Sequence, residues 1–132
     1  MKSIAAAVTL VVPSLALAQA DSGQIRLELA ARCVGLGEGL EAEYAGSARA
    51  DEMAALRRDA EAIRGAILAE AGTGADLAAA FARQTDMRGW AQRQAGLAGG
   101  GTVAAPAAAE ALSSEIQVCQ ALRAAYPDLA SE

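Results

Sequence analysis

Cys33 and Cys119 are the only cysteines in a chain of 132 residues that contains no histidine. Two cysteines with none left over, in a protein outside the reducing cytosol, point to one structural disulfide. Two buried free thiols would be the alternative, packing as small hydrophobes. A redox-active pair more often has Cys-x-x-Cys spacing, which is absent here.

The missing imidazole removes whole classes of chemistry. Haem attachment needs Cys-x-x-Cys-His and an axial ligand, and di-iron bundles need their Glu-x-x-His pairs. Zinc would be left with two thiolates and carboxylates. Serine, cysteine and threonine nucleophiles would lack their usual base. No cofactor and no metal site is therefore expected. Carboxylates remain as candidates. Glu38, Glu41 and Glu43 cluster beside a glycine-rich stretch, and paired carboxylates can hydrolyse glycosides without histidine. The chain offers only Tyr44, Phe81, Trp90 and Tyr126 as aromatic surfaces for a sugar. Such a cluster reads as a solvated charged face.

Met53, Met87 and Trp90 raise the idea of a soft Cu(I) site, but two methionines without ligand spacing read as core packing. Trp90, set among Arg88, Gln92 and Arg93, belongs at the edge of the core. It is also the candidate binding contact, because tryptophan and arginine dominate interface hot spots.

The first twenty residues have the layout of a signal peptide. Lys2 supplies the charge, Ile4 to Ala18 the apolar stretch, and Ala18-Gln19-Ala20 the small residues ahead of a cut before Asp21. A cut after Ala16-Leu17-Ala18 is the alternative. The apolar run is shorter than the roughly 20 residues of a membrane span and carries Pro13. Cleavage would leave 112 residues, with ten bases, all arginine, against sixteen acids, a net charge of −6. That size suits a single domain over 21–132. The charge argues against nucleic acid and anionic membrane surfaces as partners.

Alanine-rich segments with little Val, Ile or Thr form helices rather than strands, and four helical periodicities follow one another. The first runs from Asp21 or Ser22 to Ala45, with Ile25, Leu29, Cys33, Leu36, Leu40 and Tyr44 on one face. Asp21 and Gln24 resemble a capping box, and Glu28 is spaced to pair with Arg32. Gly35, Gly37 and Gly39 weaken this helix, where it could kink or split. The second starts at a Ser47 cap and ends at Gly72. Met53, Leu56, Ala60, Ile63 and Ile67 make its apolar seam, while Arg57, Arg58, Asp59, Glu61 and Arg64 are expected mostly to face water.

The third helix runs from Thr73 to Leu97 with a stripe of Leu77, Ala80, Phe81, Met87, Trp90, Ala91 and Leu97, into which Gln84 and Gln94 intrude. A Gly- and Ala-rich flexible connection is expected over 95–109. The fourth starts near Pro106, carries Ala108, Leu112, Ile116, Cys119, Leu122 and Tyr126, and stops at Pro127.

Four such stripes bury most simply as a small all-α antiparallel bundle, with three helices and a kinked first arm as the alternative. Cys33 and Cys119 then sit on the apolar stripes of the first and last helices. The reading is an exported protein, periplasmic or extracellular, with no catalytic residues. It would bind another protein of the cell envelope, without stable membrane insertion after cleavage. A carrier holding a small apolar ligand between its helices is the alternative.

Overall fold

The computed structural model describes the backbone of residues 2–130, and side chains from Ser22 to Ala130 except Thr73. Among the described residues the chain is all helical: α1 (Lys2–Glu43), α2 (Ala50–Ala71), α3 (Leu77–Gly99) and α4 (Ala105–Ala125), with a short 3₁₀ turn at Gly72–Gly74. Asp76 caps α3, its carboxylate accepting the Ala79 N–H at 3.0 Å. Pro106 occupies the first turn of α4, where its missing N–H has no intrahelical partner to lose. Gly72 ends α2 at φ 62°, a left-handed conformation that glycine adopts without Cβ strain. The signal-peptide reading of residues 1–20 and the Asp21 cap concern side chains outside the described ones. Backbone helix runs through this region without a break.

α1 is the hub. Leu27, Ala30, Ala31, Cys33, Val34, Leu36 and Leu40 are all essentially inaccessible, so the helix is buried on more than one side, as suits a central element. α2 and α3 flank it and their backbones do not approach each other, while α4 reaches α3, α2 and α1. The directions follow from the pairings. Gly35 lies opposite Gln84 and Gly39 opposite Arg88, so α1 and α3 run parallel. Arg26 bonds Tyr126, Arg32 pairs with Glu115 and Cys33 joins Cys119, so α4 runs antiparallel to α1.

The three glycines expected to weaken α1 do not break it; they set its packing distances. A Cβ on Gly35 would collide with the Gln84 carbonyl, whose carbon would stand 2.9 Å away. On Gly39 it would come within 2.6 Å of the Arg88 carbonyl oxygen, and on Gly37, on the other side of the helix, within 2.8 Å of Arg57 Cα. Real carbon atoms need about 3.5–4.0 Å. Gly35 and Gly39, one turn apart, let α3 lie directly on α1, and Gly37 does the same for α2. On α3 the facing residues are correspondingly small: Ala80, Ala91 and Ala95 are buried.

The structure departs from several sequence expectations. Ser47 does not cap α2. Its hydroxyl donates to the Tyr44 carbonyl at 2.7 Å and accepts from the Arg49 N–H, closing the α1–α2 turn, and α2 starts after Arg49 without a side-chain cap. α3 begins at Leu77, four residues after Thr73, because the glycines at 72 and 74 shape a 3₁₀ turn first. Ile25, Leu77, Phe81 and Leu97 are exposed rather than core. Of the stripe expected on α3, Ala80 and Ala91 are buried, and Ala91 lies against Gly39, so the packed face is the one whose small side chains can come close to α1. The connection expected over 95–109 narrows to residues 100–104, since both helices run into it. Met53, Leu56, Ala60, Ile63 and Ile67 are all buried, as their spacing requires.

Candidate functional site

The Cys33–Cys119 disulfide is formed, with Cα atoms 5.6 Å apart, and ties α1 to α4. Both residues are buried on the apolar faces of their helices, with no free cysteine remaining. The bridge holds together two helices that otherwise meet over a short stretch.

A second tie between helices lies where a solvated face was expected. Asp59 is 2% exposed and accepts from Arg123 Nε at 2.7 Å, with Nη2 at 2.5 Å. It sits one turn from both Leu56 and Ile63, next to the seam of α2, so burying the seam carries it inward. Arg123 in turn belongs to the last turn of α4.

The carboxylates near the glycines are structural. Glu38 accepts from Gln84 Nε2 at 2.8 Å, and Gln84 accepts from Arg64 Nη1 at 2.5 Å, so a polar relay joins α1, α3 and α2. Glu41 accepts from Arg57 Nε at 2.6 Å, and Arg57 also donates to Glu61 at 3.0 Å. These bonds, Glu41's foremost, hold the Arg57 guanidinium above its ordinary pKa. Glu38 faces α3, Glu41 faces α2 and Glu43 is exposed, so the three do not share a cleft. Glu28 pairs with Arg83 rather than Arg32, which reaches Glu115 on α4 instead. Met53 is buried on α2, away from α3 with Met87 and Trp90, so the three soft-ligand candidates are not brought together. Among the described residues, no three acidic or sulfur ligands converge on a point that could hold a metal ion.

What the structure does assemble is a surface. An open groove of about 620 Å³ runs between α1 and α3, with Ile25, Leu29, Met87 and Trp90 as its apolar wall and floor. Arginines 32, 83 and 93 and the acids Glu28 and Asp86 rim it. A second open groove of about 550 Å³, between α1 and α4, shares Leu29 and adds Val118, Leu122 and Tyr126. Trp90 is half-buried, packed on the core from one side and open to the groove on the other. Ile25 is 64% exposed. Arg32 and Arg83 are neutralised by Glu115 and Glu28, whereas Asp86 and Arg93 have no ion-pair partner among the described residues.

Sequence reasoning singled out Trp90 and placed Leu29 and Met87 on apolar stripes, and both pack partly buried against the core; it missed the exposure of Ile25 and the groove that the four share, which helical spacing alone does not show. The chain matches no protein-family model, no curated protein and no solved structure.

Proposed function

We propose that this chain is an exported, non-enzymatic interaction module that presents the Trp90 groove to another protein in the envelope. The observation that carries the reading is the groove itself: exposed Ile25 beside the half-buried Leu29, Met87 and Trp90, rimmed by three arginines and two acids. Aromatic residues, methionine and arginine are the types enriched where proteins meet, and large apolar patches left uncovered on small monomers mark contact sites. Of the charged groups near it, Glu28, Arg32 and Arg83 are engaged in inter-helix ties, while Asp86 and Arg93 have no ion-pair partner among the described residues. Export agrees with the disulfide, which persists in oxidising compartments, and with a leader pattern that ends at Ala20. No described helix is long and apolar enough to cross a membrane. The ligand-carrier alternative calls for an enclosed apolar pocket, whereas the two grooves described above are open to solvent.

The test is site-specific photo-crosslinking in the native host, with the probe at position 90 and, as control, at exposed Glu110 on α4. A discrete adduct from position 90 and none from 110 is the expected result. No adduct at 90, or equal labelling at both, removes the interaction reading. Sequencing the same preparation should find Asp21 as the first residue; a chain that retains Met1 or Lys2 contradicts export with cleavage.

A further inference from the structure

The outward side of α3 is complementary to itself. At 100° per residue, Ala82, Asp86, Gly89 and Arg93 fall within an arc of about 60°, with Leu97 and Trp90 along the edge nearest the groove. Ala82, Asp86 and Arg93 are exposed, Leu97 is 42% exposed, and Gly89 and Trp90 are half-buried. A Cβ added at Gly89 would meet only the far end of the Arg93 side chain, so no other described residue covers the arc at that point.

We infer that the occupant of this face is a second copy of the chain, docked α3 against α3 in antiparallel register about a twofold axis passing between Gly89 and Trp90. A twofold contact is isologous: if residue i meets j, then j meets i. With the axis there, residues whose numbers sum to 179 stand level. Asp86 then faces the partner's Arg93 and Arg93 the partner's Asp86, so both groups that lack an ion pair acquire one, twice over. The same register sets each large side chain beside a small one: Trp90 beside Gly89, Leu97 beside Ala82, and Arg83 beside Gly96. A shift of one turn would lose both charge pairs. It is this charge complementarity that favours a second copy. The net charge of −5 opposes self-association in general, so any attraction has to be local.

The contact spans 82–97, about 22 Å of helix. One helix pair makes a small interface, at the low end of specific contacts, below about 1,200 Å² in total. Dissociation in the micromolar range is therefore expected.

This inference rests on the interaction reading at Trp90 and adds a second copy of the chain as the occupant of the adjoining α3 face. The test is sedimentation equilibrium of the oxidised protein recovered after expression of the full chain, over about 1 µM to 1 mM, a range set around that affinity. The wild type should dimerise. Asp86→Arg and Arg93→Asp should each weaken the dimer by about tenfold or more, since each turns two attractions into repulsions. The double variant Asp86→Arg/Arg93→Asp should return to near wild-type affinity, an outcome that general loss of folding cannot produce. Gly89→Leu should abolish the dimer by filling the hollow opposite Trp90. A chain that stays monomeric throughout, or a double variant no better than the singles, overturns the inference. If the position-90 probe then captures a different protein, the interaction reading survives without the dimer. If it captures nothing, both fall.

Discussion

Replacing Gly35 by alanine separates two physical effects that point in opposite directions. Helix propensity alone favours alanine over glycine by about 1 kcal/mol, so a reading of the sequence makes Gly35→Ala stabilising. The packing makes it destabilising. The new methyl would sit 2.9 Å from the Gln84 carbonyl carbon, with the carbonyl oxygen closer still. Restoring ordinary contact, about 3.5 Å for carbon and slightly less for the closer oxygen, means moving the backbone of α3 away from α1 by roughly 1 Å or more. Overpacking of this kind costs about 1–3 kcal/mol. The upper half applies because a backbone carbonyl cannot rotate aside, as a side chain would. After the propensity gain, a net loss of about 1–2 kcal/mol remains.

Gly65, in the middle of α2, provides the control, since it is exposed and a Cβ there meets nothing within 4 Å. Gly65→Ala should therefore gain about 0.5–1 kcal/mol. Urea unfolding of the oxidised proteins, followed by far-ultraviolet circular dichroism, measures both. The two variants should move the midpoint to opposite sides of the wild type. If both stabilise, α3 is not seated on the glycine face and the central position of α1 is wrong.

Two further perturbations probe the ties between helices. Reduction of Cys33–Cys119 opens a loop whose ends are 86 residues apart; chain entropy assigns such a loop about 4–5 kcal/mol as an upper estimate, so the thermal midpoint should fall steeply on reduction. Intact mass after alkylation without reductant should show neither thiol labelled. Asp59→Ala leaves a largely buried guanidinium on Arg123, with 18% of its side chain exposed. This should cost about 3–5 kcal/mol in chemical denaturation, while Asp59→Ala/Arg123→Leu should recover most of the loss, because a buried ion pair is worth far less than a broken one costs.

The apolar seams of α2 and α4 were legible because each sets mostly large apolar side chains at helical spacing. Met53, Leu56, Ala60, Ile63 and Ile67 lie buried together, as do Leu112, Cys119 and Leu122. The disulfide was legible from the leader pattern over 1–20 and the even count of cysteines. α3 was misread in part, for a physical reason. Its stripe holds Ala80 and Ala91, which are buried, but also Leu77, Phe81 and Leu97, which are exposed, because the face that packs is chosen by closeness of approach and not by hydrophobicity. The matching half of that information is in Gly35 and Gly39, which offer no side chain for a periodicity argument to count. Asp59 was misplaced because its partner, Arg123, is 64 residues away; the local signal was its position one turn from both Leu56 and Ile63, beside the seam.

The same closeness accounts for the groove. With α3 pressed onto α1 through glycine and alanine, no large side chain from either helix is needed between them. The large side chains on the flanks, Ile25 and Trp90 on one side and Leu77 and Phe81 on the other, are left outside the seam. In a bundle held by leucine at every interface the same residues would be drawn inward and covered. Tight packing at the centre thus creates apolar surface at the edge, and the disulfide offsets the stability that those uncovered side chains fail to supply. Gly35→Ala consequently bears on function as well as stability. Pushing α3 outward widens the space between Leu29 and Trp90, and crosslinking from position 90 should fall in that variant even at temperatures where it remains folded.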